Sequence, residues 1–169
     1  HLRALLREGS ALPALRMVVC ATAPLAPELA SAAERAFATE LREIYGFTEA
    51  GMVATRRSAC TDVWDTLPGV VVAQQDARGV FSGGHVRVPV APTDLLEVID
   101  GTRFRLQGRD GDLVNVAGKR SSIGYLNHQL LSIPGVDDGV FFLPDESDGA
   151  AVTRPAAFYV SAMLTPEAL

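Results

Sequence analysis

Residues 15–51 read LRMVVCATAPLAPELASAAERAFATELREIYGFTEAG, and the way they divide decides the fold. The β-branched run at 15–20 reads as a buried strand. Beyond it, the Ala-rich stretch after Pro27 sets Leu29, Ala33 and Phe37 four residues apart, the spacing of one helix face. Pro27 suits the first helical turn, where its missing N–H costs nothing. The segment ELREIYG, 40–46, returns as a second short strand. Strand, helix and strand joined by short links make a βαβ unit, which predicts a parallel pair. The closing residues, EIYGFTEAG, then place Tyr45 directly before Gly46, and Thr48 and Glu49 between Gly46 and Gly51, at the carboxyl end of that second strand. Open α/β sheets bind their ligands at that end.

Working outward, Leu2, Leu5 and Leu6 share one face of a short helix over 2–8, and Gly9 stops it. From about Thr61 the texture changes. The stretch GVVVAQQDARGVFSGGHVRVPV, 69–90, alternates short Val-rich runs with Gly-containing turns. Residues 95–99 and 103–107 read as strands around Asp100-Gly101, a hairpin signal. These predict a small antiparallel β unit. Glycines 108, 111 and 118, set among charges, mark a connection, with a boundary in 109–112. Beyond it Ser122 is placed to cap a helix whose Ile123, Leu126 and Leu130 share a face. GVDDGVFFLPDE (135–146) and RPAAFYVSAML (154–164) read as strands. The expected organisation is therefore α/β and α+β, with one domain over 1–108 and a second over 109–169.

Composition narrows the function. The chain has 169 residues, 48% of them hydrophobic and 21% charged, and a net charge of −5. That balance argues against nucleic acid as a partner, since phosphate backbones demand a basic face. No apolar run approaches the roughly 20 residues of a membrane span, and the start lacks the apolar core of a secretory signal. Cys20 and Cys60 read as reduced thiols, so a cytoplasmic location is expected. The first residue is His1 and the end is abrupt, the look of a piece of something longer.

Among chemical motifs, GxxxxGK[ST], GxGxxG and GxSxG are all missing. No His or Cys pair has metal-ligand spacing, and His85 and His128 read as structural or surface residues. The stretch YGFTEAG remains. A Tyr ring stacks on a base, a Thr hydroxyl donates to phosphate, and a carboxylate holds Mg²⁺ between phosphates. The bland alternative is a Gly-bounded surface turn with a solvated Glu49. Asp94 likewise reads either as a ligand group or as a strand-end turn residue, and Arg109 either as a phosphate donor or as a solvated charge.

Taken together, these stretches resemble the adenylate-forming superfamily of acyl- and aryl-CoA synthetases, peptide-synthetase adenylation domains and firefly luciferase. Its GGAPL-type motif is similar to Ala21-Thr22-Ala23-Pro24-Leu25, and its YGxTE motif to Tyr45-Gly46-Phe47-Thr48-Glu49. Its TGD motif resembles Thr93-Asp94, without the central Gly, 15 residues before Arg109 of Gly108-Arg109. The resemblance implies the later part of a large adenylation domain, built of a parallel βαβ piece and a small antiparallel unit. A small, truncated α+β C-terminal domain is hinged to it.

The resemblance also implies roles. Tyr45 and Gly46 would flank adenine, and Ala21, Thr22 and Ala23 would line the nucleotide and acid. Thr48 would contact the α-phosphate and Glu49 would hold Mg²⁺, so these two are the candidate catalytic residues. Asp94 would accept the ribose hydroxyls, and Arg109 would reach ribose or phosphate. Gly111 and Asp112 would form the hinge, where the family usually has Asp or Lys. Asn115 stands where a Lys is frequent, and Lys119 reads as a solvated loop residue. The implied reaction joins a small aromatic or aliphatic carboxylic acid to ATP, releases pyrophosphate, leaves an acyl-adenylate, and passes the acyl group to CoA or an acyl carrier protein. The wording DLVNVAGKRSS…LNHQLLSIPGVDDGVFFLPDE resembles most the AMP-ligases of aryl-polyene and xanthomonadin-type pathways, which implies an aryl acid. The family's phosphate loop is expected before residue 1 and its adenylation Lys after residue 169, so the piece alone is expected to be inactive. Two other classes stand beside this reading: a non-catalytic interaction module that kept the fold, and an α/β hydrolase fragment, which lacks a nucleophile elbow.

Overall fold

The computed structural model describes residues 2–9, 12–21, 25–75, 78–109, 113–116, 119–144 and 155–165, with the backbone alone at 109, 113–116, 119–121 and 128. The chain divides into two compact units, 1–106 and 107–169.

In the first unit, α1 (Leu2–Glu8) is followed by β1 (Val18–Cys20), α2 (Pro27–Phe37) and β2 (Leu41–Phe47). β1 and β2 pair in parallel, Val18 opposite Leu41 and Cys20 opposite Glu43, as the βαβ reading expects. β1 is shorter than the 15–20 run because its partner begins only at Leu41. The residues before Leu41 are spent in closing α2, whose C-cap Ala38 turns left-handed at φ 48°. Pro27 occupies the first turn of α2, and Ala30 and Ala33 are fully buried, so the helix lies close to the sheet. Leu25, Ala30, Ala33 and Leu41 form the core there, with Leu2 and Leu6 of α1 packed against it.

The chain then runs antiparallel. β3 (Gly51–Arg56), β4 (Trp64–Thr66), β8 (Asp94–Asp100) and β9 (Arg103–Arg109) complete a six-stranded mixed sheet in the order β1-β2-β3-β4-β9-β8. Asp100 makes the β8–β9 turn: its carboxylate accepts the N–H and hydroxyl of Thr102 at 2.9 and 3.0 Å, and Nε of Arg103 donates to it at 2.8 Å. β5 (Val70–Gln75), β6 (Arg78–Gly83) and β7 (Val86–Val90) form a separate antiparallel sheet of three. Inward residues of the two sheets, among them Trp64, Leu96 and Phe104 from one and Val72, Phe81 and Val86 from the other, meet in one aromatic-rich core.

The second unit holds the antiparallel pair β10 (Leu113–Val116) and β11 (Lys119–Ser122), helix α3 (Ile123–Ser132), and the antiparallel pair β12 (Asp138–Phe142) and β13 (Ala156–Val160). Ser122 caps α3, accepting the Tyr125 N–H at 3.0 Å, as the sequence suggests. Leu130 of α3 packs onto Gly139 of β12, where a Cβ would lie 2.6 Å from its Cδ2.

Candidate functional site

The turn after β2 follows from FTEAG. The Ala50 N–H donates to the Phe47 carbonyl at 3.1 Å, closing a β-turn with Thr48 and Glu49 at its centre. Gly51 then takes φ 67°, a left-handed angle that ends such three-residue hairpin loops. Gly46 serves a different need. A Cβ there would sit 2.3 Å from the Gly51 carbonyl oxygen, so only glycine lets the strands close at the bulge between Tyr45 and Gly46. A neighbouring turn braces the loop: His85 Nε2–H donates to the Ala50 carbonyl at 3.1 Å.

Tyr45, one residue before that bulge, points into the core and is 8% exposed. Its ring has Trp64 and Phe104 at 5.6 Å between centroids, Phe47 at 6.2 Å and Phe81 at 6.3 Å. Its hydroxyl donates to Asp94 Oδ2 at 2.8 Å across 49 residues of sequence. Asp94 opens β8 and is half-buried. The structure thus brings together two sequence-predicted site residues that no local pattern joins. Thr48 and Glu49 stand exposed at the turn that follows. Glu49 has no hydrogen bond or ion pair among the described residues. Among those residues, moreover, no three His, Cys, Asp or Glu side chains make a metal cage. One unpaired carboxylate is what a Mg²⁺ held mainly by nucleotide phosphates requires, since that ion takes only one or two protein carboxylates.

The remaining candidates are placed as follows. Ala21 is exposed just after β1. Thr22, Ala23, Gly111 and Asp112 lie outside the described residues. Arg109 is the last residue of β9, described by its backbone alone.

One functional support goes unrecognised in the sequence. Leu41, Glu43 and Tyr45 alternate inward along β2, so Glu43 is a buried carboxylate, 3% exposed. It accepts the Leu25 N–H at 3.1 Å on Oε1, while Oε2 accepts Arg56 Nε at 2.7 Å and the Ser58 hydroxyl. The Arg56 guanidinium, which completes the ion pair at 2.6 Å, lies 4.6 Å from the centre of the Trp64 ring. Glu43 therefore ties the end of the ATAPL stretch to β2 and β3. Its signal was an acidic residue at an inward position of an alternating strand, which demands partners. Burial, and then the charge of Glu43, pushes the Cys20 thiol above its ordinary value, which keeps it protonated.

A surface depression of about 540 Å³ lies elsewhere in the unit, lined by Ser31, Glu34, Thr39, Arg57 and Cys60 among others. Two of its four charges are spent on each other: Arg57 Nε and Nη2 donate to the two Glu34 oxygens at 2.8 Å each, while Arg35 and Glu40 also line it. The Tyr45–Asp94 junction, where the predicted residues meet, is the better candidate.

Residues 1–93 match the model of the family described as AMP-binding enzyme. A comparison with curated proteins returns no match. Among solved structures, a variant of E. coli MenE with bound OSB-AMS is 18% identical with a TM-score of 0.79, over 97% of this chain and 40% of that one. O-succinylbenzoate coenzyme A synthetase (MenE) from Bacillus subtilis, in complex with AMP, is 16% identical with a TM-score of 0.73, over 99% and 41%. Coronafacic acid ligase from Pectobacterium brasiliense is 17% identical with a TM-score of 0.67, over 98% and 39%. The chain spans about two fifths of the length of these structures. No described helix is long and apolar enough to cross a membrane.

Proposed function

The chain belongs to the AMP-binding enzyme family, and from that premise we propose that the protein carrying it is an ATP-dependent, AMP-forming ligase. It activates a carboxylic acid as the acyl-adenylate and passes the acyl group to a thiol, that of CoA or an acyl carrier protein. The observation that carries this reading is the bond from Tyr45 to Asp94. It joins the YGFTE stretch to the start of β8, which supports assigning a nucleotide to Asp94 and to the turn that carries Thr48 and Glu49.

Each side chain suits its task. The Asp94 carboxylate accepts several hydroxyl donors at once, as a ribose requires. The exposed Thr48 hydroxyl donates to an α-phosphate oxygen. Glu49 is the residue that would hold Mg²⁺, which supplies charge neutralisation as pyrophosphate leaves. Arg109, a forked donor, is assigned to ribose or phosphate, and Ala21, Thr22, Ala23 and Gly46 to the pocket lining. Gly111 and Asp112 are assigned to the hinge between the two units. The wording of 112–146 favours an aryl acid, and the work is assigned to the cytoplasm. Turnover is expected of the full-length protein and not of these 169 residues alone.

The test is exchange of labelled pyrophosphate into ATP by the folded full-length protein, across a panel of aryl and aliphatic acids. Exchange that depends on an aryl acid is expected. Absence of exchange with every acid overturns the ligase reading, and absence of ATP binding as well points to a non-catalytic module.

A further inference from the structure

We propose that His85 is a positioning residue for the turn that carries Thr48 and Glu49, bracing it from the three-stranded sheet. The inference rests on the nucleotide-binding reading above and adds a support that lies 35 residues away in sequence.

Three observations carry it. First, the turn is held at Ala50, the residue directly after Glu49. Ala50 is 8% exposed and belongs to the aromatic-rich core. Its N–H donates to the Phe47 carbonyl at 3.1 Å, and its carbonyl accepts His85 Nε2–H at 3.1 Å. The peptide groups before and after Ala50 are therefore both fixed. Second, the Ala50 carbonyl lies outside the β2–β3 ladder, whose last pair is Phe47 with Gly51. A carbonyl only accepts, so the imidazole supplies the donor that the sheet does not. Third, His85 stands on a rigid frame. Gly83 and Gly84 before it take φ 81° and 56°, and a Cβ on Gly83 would lie 2.5 Å from the Gly69 carbonyl oxygen. Val86 after it is buried in the same core as Ala50. The β6–β7 turn is thus pressed against the backbone that leads into β5, and the imidazole is presented from there. Thr48 and Glu49, by contrast, are exposed and make no side-chain hydrogen bond or ion pair among the described residues. Their placement depends on the backbone of the turn, and a turn braced before ligand arrives spares the cost of ordering it on binding. The His85 ring is itself exposed, so replacing it empties no core.

The experiment uses the full-length protein, with His85→Leu to remove the donor and His85→Gln to return an N–H at the same reach. Two quantities are read: amide hydrogen exchange over residues 47–52, and the affinity for MgATP by calorimetry. His85→Leu is expected to speed exchange in that stretch and to weaken MgATP, each about 5-fold, the effect of one hydrogen bond. The melting midpoint and the protection of the other strands should stay as in the parent, and His85→Gln should restore both quantities. Unchanged exchange over 47–52 in His85→Leu overturns the proposal, because the turn then has no need of the brace. Faster exchange with unchanged MgATP affinity overturns it too, leaving a structural contact only. Weakening that His85→Gln does not relieve, or protection lost throughout residues 1–106, assigns His85 some other role and refutes the assignment. Failure of the unaltered protein to bind MgATP removes the nucleotide reading and the proposal with it. That outcome is told apart from failure of the brace alone by the exchange data, which need no nucleotide.

Discussion

At the scale of single residues, Glu43 shows how a buried carboxylate ties together the strands that carry the candidate site. A carboxylate at 3% exposure is tolerated because three donors, the Leu25 N–H, the Ser58 hydroxyl and the Arg56 guanidinium, converge on it. Arg56 is itself only 14% exposed, so removing its partner strands a largely buried cation. Glu43→Ala should therefore destabilise the first unit by about 3–5 kcal/mol, read from the midpoint of urea unfolding. A loss within about 0.5 kcal/mol, usual for surface changes, would contradict this account. The residue was visible in EIYGFTEAG, and its inward parity was legible from the alternation with Leu41 and Tyr45. Its partners were not, because Leu25 and Arg56 reach it from β1's exit and from β3, and no spacing rule links them. Ala38 is a similar case. A helix C-cap at φ 48° is the place where sequence reading looks for Gly, and an alanine there gives no signal.

At the scale of elements, the link from α2 to β2 is held by one carboxylate. Glu34, in the last turn of α2, accepts the Leu41 N–H at 2.9 Å and both donor arms of Arg57. The Arg57 hydrogen bonds, and then that backbone N–H, pull the Glu34 carboxyl from its ordinary 4.5 down to about 2. The folded value lies below the unfolded one. The stabilisation is thus fully present above pH 4.5 and is lost as pH falls through about 2. Asp100 acts in the same direction from 3.8 to about 2, through Arg103 first and then the Thr102 N–H. Thermal midpoints should drop across that window, and Glu34→Gln should flatten part of the drop, leaving the Asp100 share. A midpoint in Glu34→Gln as pH-sensitive as the parent's would refute the assignment. The elements themselves were largely legible: Pro27 and the four-residue apolar spacing marked α2, Asp100-Gly101 marked the β8–β9 turn, and Ser122 marked the start of α3. The order of the sheet was not. β4 has only Trp64 to Thr66 to offer, too short for a period, yet it lies between β3 and β9.

At the scale of the whole molecule, the first unit depends on two sheets closing over shared aromatic rings. Phe81 comes from the three-stranded sheet, Phe104 from the six-stranded one, and their rings meet edge to face at 5.3 Å with Tyr45 beside both. Both phenylalanines are fully buried. Phe81→Ala should cost about 3–5 kcal/mol and loosen the packing around Tyr45, monitored by the near-ultraviolet circular dichroism of the aromatic rings. Retention of that signal with unchanged stability would show that the sheets do not share one core. The Tyr45–Asp94 bond is the tertiary feature that sequence could not supply, since its 49-residue separation is set by this closure and by nothing local. Trp64 belongs to the same core and is the one tryptophan in the chain; its indole Nε1 is buried with no hydrogen-bond partner among the described residues, and Arg56 lies against its ring. Fluorescence excited selectively at that indole therefore originates in residues 1–106 alone. Within these 169 residues, the emission makes the first unit optically distinguishable from the second without any attached label.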